Sequence, residues 1–240
     1  MTEAGRLAST LFRQSVRNWR KGDNSPVSDA DLAVDRLLRE RLMKARPGFG
    51  WLSEESPDGP ARLAASHVWV VDPIDGTRAF LKGGDQWCIS AGLVRDGAPV
   101  AAAVYRPMTE ELYTAAKDRG ATLNHVAISA SRQSTISGAR ILGAKQITQK
   151  LAGCVALGAA DIPLALRLCL VARGHYDAFA AATPKHDWDI CAGHLILEEA
   201  GGIVTDLPGR PCIYNRPDPF QRGIVASNAA LHGLIAKAVN

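Results

Sequence analysis

The chain contains few cysteines, and their positions argue against the disulfide-rich and thiolate-zinc classes of protein. Its 240 residues include five cysteines, an odd number without any C-x-x-C pair. We therefore expect reduced cysteines that are packed in apolar surroundings. The six histidines are scattered along the chain, so a histidine-based zinc site is not expected either.

Long hydrophobic runs are also absent. No apolar stretch is long enough to cross a bilayer, and the first residues, interrupted by Glu3, Arg6 and Arg13, contain no hydrophobic region of a signal peptide. We expect a soluble, cytoplasmic protein without a membrane partner. Its formal charge of +4 suits an anionic substrate but falls far short of a nucleic-acid-binding composition, so no nucleic acid is expected as a partner.

The most informative stretch, Trp69 to Phe80, reads WVVDPIDGTRAF. Residues His67 to Val71 predict a buried strand, because a short β-branched and aromatic run bounded by turn residues is typical of one. Pro73 cannot donate a ladder hydrogen bond and should end the strand. Asp72 and Asp75 are thereby placed together at one strand end.

Gly76 and Thr77 follow the second of these aspartates. Glycine allows a close approach of the backbone, and threonine is a good residue to begin a short helical turn, whose free N–H groups can bind an anion. Carboxylates beside an anion site indicate that cations lie between them. The alternative is a loop in which the two aspartates only cap a turn.

Further acidic residues stand at predicted strand ends or helix starts, and each has a purely structural alternative. Glu54 and Glu55 end the strand predicted for Gly48 to Ser53, where they form either a surface edge or a ligand pair. Asp31 is the last residue of an S-x-x-D pattern that also predicts a helix cap. Asp189 lies in the first turn of a predicted helix, where the helix dipole alone would favour its charge.

The remaining pattern predicts a mixed α/β protein. Residues Glu3 to Trp19 have the apolar spacing of one core helix. After Phe80 we expect consecutive antiparallel strands, followed by alternating short strands and helices. The small and polar residues between Ser129 and Gly138 predict a lobe boundary. It divides the chain into an N-terminal α+β lobe at 1–132 and a C-terminal α/β lobe at 133–240, which together form one catalytic unit.

The candidate acidic residues all offer hard oxygen ligands: Glu54, Asp72, Asp75 and Asp189, with Asp31 as a further candidate. Oxygen ligands select Mg²⁺ or Mn²⁺ over zinc or copper. A cluster of carboxylates next to the amides of a helix N-terminus is how two-metal sites clamp a phosphate. The sequence therefore predicts metal-assisted hydrolysis of a phosphate ester.

Three motifs, in their order and spacing, resemble the motif set of the inositol monophosphatase superfamily of lithium-sensitive, Mg²⁺-dependent phosphatases. They are Ser53-Glu54-Glu55-Ser56, Asp72-Pro73-Ile74-Asp75-Gly76-Thr77, and Trp188-Asp189-Ile190-Cys191-Ala192-Gly193 followed by Glu199-Ala200-Gly201-Gly202. The resemblance covers essentially the whole chain. It implies a layered α-β-α-β-α fold of the type shared by inositol monophosphatase and fructose-1,6-bisphosphatase.

The resemblance also implies how the metal ions are held. Glu54 matches the metal-bridging glutamate, and Asp72 would bridge two ions. The backbone carbonyl of Ile74 would bind the first ion, and Asp75 and Asp189 would hold the second. The implied cofactor is Mg²⁺, two or three ions per site, with Mn²⁺ as an alternative.

Catalytic and substrate-binding positions follow from the same resemblance. Thr77 would orient the attacking water, and Asp31 would accept a hydrogen bond from Thr77, with Glu54 as the third catalytic residue. The amides of Gly76 and Thr77 would hold phosphate oxygens. The implied substrate contacts are Asp75, Gly76, Thr77, Arg78, Lys185 and Asp189.

The choice of phosphate ester depends on departures from the inositol branch of the superfamily. Ala182 stands where that branch has a glutamate that contacts inositol hydroxyls, and Gly158-Ala159-Ala160-Asp161 replaces a serine-containing segment. A site built to bind hydroxyls loses much when the acceptor is absent. By contrast, the stretch from Lys21 to Asp31 is similar to the bisphosphate nucleotidases and the histidinol-phosphate phosphatases.

Arg78, Lys82 and Lys185 add positive charge that suits a second phosphate, or they are solvated surface residues. We favour a 3′(2′),5′-bisphosphate nucleotidase that converts 3′-phosphoadenosine 5′-phosphate to AMP. Inositol 1-phosphate and histidinol phosphate are the alternative substrates. An alternative of another class is a regulatory, protein-binding member of the superfamily with weak or no turnover. The resemblance also allows a homodimer.

Overall fold

The computed structural model describes residues 1–14, 16–22, 24–158 and 161–239. The first half contains α1 (Thr2–Leu11), β1 (Asn18–Arg20), β2 (Pro26–Ser28), α2 (Asp29–Ala45), β3 (Gly50–Ser53), a 3₁₀ helix (Pro60–Ala64), β4 (His67–Asp75), α3 (Thr77–Leu81), β5 (Cys88–Arg95), β6 (Ala98–Arg106), β7 (Glu111–Ala116), β8 (Ala121–Leu123) and β9 (Val126–Ala127). The second half contains β10 (Arg140–Gly143), α4 (Lys145–Thr148), β11 (Val155–Leu157), α5 (Leu164–Ala172), β12 (Ala178–Ala181), β13 (Lys185–His186), α6 (Asp187–Glu199), β14 (Gly202–Thr205), β15 (Phe220–Gln221), β16 (Ile224–Asn228) and α7 (Ala229–Val239).

The larger sheet has seven strands in the order β3-β4-β5-β6-β7-β8-β9. Strands β3 and β4 are parallel, and each following pair is antiparallel, as the sequence predicts for β5 to β7. The turn between β5 and β6 places Asp96 and Gly97 at φ values of 51° and 80°, the left-handed conformations that a two-residue hairpin turn requires. The short strands β8 and β9 were not predicted.

The smaller sheet has five strands in the order β11-β10-β12-β16-β14. Strand β10 is parallel to both of its neighbours, whereas β16 is antiparallel to β12 and β14. Helices α4 and α5 lie in the connections between the parallel strands, since parallel neighbours need a crossover. This half of the chain contains alternating short strands and helices, as the sequence predicts.

Helices α5 and α6 lie between the two sheets. Helix α6 packs against β5, β6 and β7 of the larger sheet, and α5 packs against β12 and β16 of the smaller one. Their side chains share one core with both sheets, which includes Val104, Phe179 and Leu195. Helices α1 and α2 cover the outer face of the larger sheet, and α4 and α7 cover the smaller sheet. The predicted α-β-α-β-α layering is confirmed.

The last strand of the larger sheet ends at Ala127, and the first strand of the smaller sheet begins at Arg140. The two sheets nevertheless share a core. The division into lobes at 1–132 and 133–240 stays a prediction. All five cysteines carry free thiols, four of them buried. Among the described residues, no helix combines the length and the apolar character needed to span a bilayer.

The helix predicted for Glu3 to Trp19 is too long. Helix α1 ends at Leu11, and Arg13 has a φ of 63°, a left-handed conformation that interrupts a right-handed helix. Trp19 belongs instead to β1, which pairs with β2, and 39% of its surface is exposed. The apolar spacing beyond Leu11 therefore reflects a turn and a two-stranded ribbon.

Strand β4 does not end at Pro73, as predicted, but continues to Asp75. Asp72 pairs with Ser90 and Asp75 pairs with Cys88, so β4 contains one residue more than β5 across this interval. This is a β-bulge, one of the few places in a sheet where a proline costs no ladder hydrogen bond.

Candidate active site

One cavity of about 700 Å³ collects most of the residues that the sequence singles out. It lies where β3 and β4 end and α6 begins. The predicted site residues that line it are Glu54, Asp72, Ile74, Asp75, Gly76, Thr77, Arg78, Lys185 and Asp189. Asp31 is linked to this cavity through a hydrogen bond to Thr77. Residues from both halves of the chain therefore meet at one place.

Backbone donors hold the two aspartates of β4. Asp72 is only 2% exposed, and its Oδ1 accepts a hydrogen bond from the N–H of Ile74 at 3.1 Å. The Oδ2 of Asp75 accepts a hydrogen bond from the N–H of Ala165 at 2.8 Å. Because Ala165 belongs to α5, this bond joins the first half of the chain to the second inside the cavity.

Gly76 makes the sharp turn between β4 and α3. Its φ is 102°, and a Cβ at this position would lie 2.6 Å from the backbone oxygen of Gln86. Both the conformation and the close approach require glycine. The turn places the hydroxyl of Thr77 3.1 Å from the carbonyl oxygen of Ile74 in β4.

Thr77 and Asp31 form a buried hydrogen-bonded pair. The Oγ1 of Thr77 donates to Oδ1 of Asp31 at 2.9 Å, and the carbonyl oxygen of Ile74 is a second acceptor at 3.1 Å. The Oδ2 of Asp31 accepts from the N–H and the hydroxyl of Ser28 at 2.8 and 2.5 Å. The bonds to Ser28 belong to the capping box of α2, so Asp31 caps the helix and reaches the site with its other oxygen.

Glu54 contacts a lysine that the sequence analysis did not identify. The Nζ of Lys21 lies 2.8 Å from Oε1 of Glu54 and 2.8 Å from Oε1 of Glu55. The two adjacent acids are thus neither a solvated surface edge nor left to repel each other. No local pattern reveals this contact, because 33 residues separate Lys21 from Glu54.

Asp35 supports the same acidic pair from α2. Its two carboxylate oxygens accept hydrogen bonds from the hydroxyls of Ser53 and Ser56, each at 2.5 Å. These serines flank Glu54 and Glu55 in the chain. Asp35 lies four residues after Asp31, which places both on one face of α2; this spacing was the signal that the sequence analysis missed.

Asp189 occupies the first turn of α6 and faces the cavity. Its Oδ2 accepts a hydrogen bond from the N–H of His186 at 3.2 Å. Asp187 is fully buried and binds elsewhere, accepting from Nε2 of Gln221 at 2.7 Å and from the N–H of Asn215 at 3.3 Å. Asp189 therefore both caps the helix and contributes a carboxylate to the site.

The carboxylates of the cavity raise one another's pKa values. Burial, followed by the charges of neighbouring carboxylates, raises the pKa of Asp72 well above its usual value. Burial also raises the pKa of Asp75 to about 7 and that of Asp189 to about 8. Keeping these buried carboxylates ionised together costs free energy, and a bound cation would lower that cost.

The donor set fits a hard divalent cation. Glu54, Asp72, Asp75, Asp189 and the carbonyl of Ile74 offer oxygen atoms only, as Mg²⁺ and Mn²⁺ prefer. Within the part of the chain that the structure describes, no three His, Cys, Asp or Glu side chains are already grouped closely enough to hold a metal ion. Glu54 is paired with Lys21 instead, so completing the site requires movement of this side chain.

Positive side chains also line the cavity. Arg78 is exposed at its edge, and Lys185 donates a hydrogen bond to the hydroxyl of Thr183 at 2.8 Å. Arg167 also lines the cavity, and its Nε donates to the carbonyl of Ile162 at 2.8 Å. Burial lowers the pKa of Arg167, and the charges of Asp75 and Asp189 oppose that shift. Sequence analysis missed this arginine because it lies within an otherwise apolar helix pattern.

Some of the residues that bear on the choice of substrate lie outside the cavity or outside the described residues. Ala182 is exposed and is not among the residues that line the cavity, whereas Asp161 does line it. Ala159 and Ala160, of the altered Gly158–Asp161 segment, lie outside the described residues, as does Asp23 of the Lys21–Asp31 motif.

Known proteins resemble this chain in sequence and in fold. The model of the inositol monophosphatase family matches residues 1–240. An inositol-1-monophosphatase of Rhizobium meliloti is 37% identical over 212 residues, 82% of this chain and 77% of that protein. The 3′(2′),5′-bisphosphate nucleotidase CysQ of Escherichia coli is 30% identical over 206 residues, 83% of this chain and 84% of that protein.

A solved structure shows the same likeness in three dimensions. The extragenic suppressor protein suhB from Bartonella henselae superposes with a TM-score of 0.88 at 29% identity, covering 99% of this chain and 94% of that one. The sequence match and the fold lead to one conclusion. The chain belongs to the inositol monophosphatase family and is a phosphatase.

Proposed function

We propose that this phosphatase is a Mg²⁺-dependent phosphomonoesterase that acts on a small phosphorylated metabolite. The observation that carries the proposal is one cavity lined both by buried carboxylates and by Thr77, which is hydrogen-bonded to Asp31. This is an arrangement for binding cations and orienting a water molecule beside them.

The residues proposed to hold two or three Mg²⁺ ions are Glu54, Asp72, Asp75, Asp189 and the carbonyl of Ile74. Bound Mg²⁺ supplies Lewis-acid chemistry, which favours a deprotonated attacking water and neutralises charge on the leaving oxygen. Lys21 holds Glu54 when no cation competes for it. We infer that Lys21 releases at least one oxygen of Glu54 as the site fills.

Thr77 and Asp31 direct the attacking water. A hydroxyl has one proton, and the buried carboxylate of Asp31 is its stronger acceptor. When Thr77 donates to Asp31, its lone pairs are left to accept a hydrogen bond from water, and the carbonyl oxygen of Ile74 is left for a cation. The water lone pair then points away from Thr77, toward the substrate phosphorus.

The positively charged side chains that line the cavity are proposed to bind the substrate. Arg78, Arg167 and Lys185 line the cavity, and guanidinium groups match phosphate oxygens in geometry. Asp75, Gly76, Thr77 and Asp189 complete the proposed substrate contacts.

We propose 3′-phosphoadenosine 5′-phosphate as the favoured substrate, because Ala182 supplies no acceptor for inositol hydroxyls while cations line the cavity. Inositol 1-phosphate remains the competing substrate, supported by the 37% identity to the inositol-1-monophosphatase of Rhizobium meliloti. Histidinol phosphate is the third candidate.

Phosphate release with Mg²⁺ tests the proposal on four esters: 3′-phosphoadenosine 5′-phosphate, inositol 1-phosphate, histidinol phosphate and fructose 1,6-bisphosphate. Preference for the nucleotide supports the nucleotidase, and preference for inositol phosphate replaces it with an inositol monophosphatase. Absence of turnover with all four contradicts the enzymatic proposal and favours a regulatory protein. Asp96→Asn, in an exposed turn outside the cavity, serves as the control variant.

A further inference from the structure

A second, polar cavity of about 640 Å³ adjoins the first. It lies between the segment that follows α1 and the end of α3. Its cationic lining residues are Arg13, Arg17 and Lys82, and the remaining lining residues include no acid. Among the residues that the structure describes, every charged side chain that lines this cavity is therefore positive.

The three cations are unpaired in the described part of the chain, since none of them takes part in a salt bridge there. Arg13 lies over the ring of Phe12 at 5.1 Å, and Arg17 lies over the ring of Trp19 at 5.7 Å. Stacking on a ring uses the face of a guanidinium and leaves its N–H edge available for an anion. Lys21, by contrast, is fully engaged with two carboxylates.

Lys82 lines both cavities, and α3 separates them. Thr77 and Arg78, at the start of α3, face the catalytic cavity, whereas Phe80 and Leu81, at its end, face the second one. A five-residue helix rises about 7.5 Å. A molecule that fills both cavities must therefore carry its anionic groups roughly that far apart.

We propose that Arg13, Arg17 and Lys82 form a subsite for a second phosphate group of the substrate, while the scissile phosphate lies beside Thr77. The inference rests on the proposed phosphatase function and specifies its substrate class: a sugar or nucleoside bisphosphate whose two phosphates are separated by the sugar ring. A monophosphate leaves the subsite empty. The subsite thus selects substrates without taking part in the chemistry.

Two nucleotides that share the same scissile ester separate the effect of the subsite from that of the catalytic cavity. Adenosine 3′,5′-bisphosphate and adenosine 3′-monophosphate differ only in the remote phosphate. For the Arg13→Gln/Arg17→Gln variant we expect kcat/KM for the bisphosphate to fall about tenfold to a hundredfold, because charge-assisted hydrogen bonds are lost. The value for the monophosphate should remain unchanged. Arg36→Gln/Arg39→Gln, on the exposed face of α2, removes equal charge and should change neither.

Equal losses for both nucleotides, or no loss for either, overturn the subsite while leaving the phosphatase function intact. Calorimetric binding of the same nucleotides to a Thr77→Ala background tests the subsite without turnover. Tighter binding of the bisphosphate that disappears when Arg13 and Arg17 are replaced supports the subsite even if no ester is hydrolysed. Equal binding of both nucleotides to the Thr77→Ala protein overturns it.

Discussion

The two walls of the catalytic cavity are built differently. The wall that carries Glu54, Asp72, Asp75 and Thr77 is held from behind by side-chain hydrogen bonds of α2: Asp31 to Ser28 and Thr77, and Asp35 to Ser53 and Ser56. The wall formed by α5, β13 and α6 has fewer such bonds, with Asp189 held by one backbone N–H and Lys185 by the hydroxyl of Thr183. The bond from Ala165 to Asp75 joins them.

This difference suggests a division of tasks. The first wall carries most carboxylates and the water-orienting pair, whose positions must be accurate for catalysis. The second wall carries Arg167 and Lys185, whose charges suit substrate recognition. Variants of the first wall should therefore change kcat or the Mg²⁺ requirement, and variants of the second should change KM.

The largest effect is expected for Asp72→Asn. Asp72 is the most deeply buried carboxylate of the cavity, and losing it removes several kcal/mol of cation-mediated charge stabilisation. We expect phosphate release to fall by at least about a thousandfold. The measurement is initial rate at saturating Mg²⁺, with Asp96→Asn retaining full activity. Near-normal turnover by Asp72→Asn would contradict the proposed role of the first wall in catalysis.

Thr77→Ala should reduce kcat about a hundredfold to a thousandfold, within the range for a lost proton-orienting group. The buried Asp31 keeps its bonds to Ser28, so the fold should persist. Affinity for Mg²⁺, measured by calorimetry, should stay nearly intact because the hydroxyl is not a proposed ligand. A collapse of Mg²⁺ binding in this variant would contradict its assigned role.

Asp35→Ala tests whether support of the acidic pair matters. Loss of the carboxylate leaves the hydroxyls of Ser53 and Ser56 without their acceptor, which frees the segment that carries Glu54. Residues behind metal ligands affect affinity by about tenfold to a hundredfold. We expect the Mg²⁺ concentration for half-maximal activity to rise by about tenfold, with partial rescue by Asp35→Asn. An unchanged Mg²⁺ requirement in a folded protein would argue against this support.

Arg167→Gln addresses the second wall. One charge-assisted hydrogen bond to phosphate is worth about 1.5–3 kcal/mol, and the lower end of that range corresponds to about a tenfold change in affinity. We expect KM to rise about tenfold with kcat changed less than threefold. Steady-state kinetics on the preferred ester measures both values, and Arg167→Lys should recover part of the loss. If kcat falls instead and KM is constant, the proposed division between the walls fails.

The sequence predicted the parts of the site that lie within short motifs. Asp72, Asp75 and Thr77 are recognisable because Pro73 and Gly76 restrict the backbone around them, and Asp189 because it begins a helix. Lys21, Asp35 and Arg167 were missed because their contacts depend on packing between elements far apart in the chain. The layered fold was predicted from the motif resemblance, which conveys tertiary information that periodicity lacks.

Two predictions of secondary structure were wrong, and each error has a cause in the local backbone. Apolar spacing from Glu3 to Trp19 cannot distinguish a continuing helix from a turn followed by an edge strand, and the left-handed Arg13 decides the matter. Proline at position 73 predicts a strand end, but a β-bulge between Asp72 and Asp75 accommodates it, and both aspartates line the cavity.

The most direct test of the account is anomalous diffraction from crystals of the protein soaked in Mn²⁺, which can replace Mg²⁺ at oxygen-rich sites. The account predicts manganese peaks within bonding distance of Asp72 and its neighbouring carboxylates, with Glu54 turned from Lys21 toward the metal. Absence of manganese from this cavity, at concentrations that support phosphate release, would contradict the proposed metal site and the mechanism built on it.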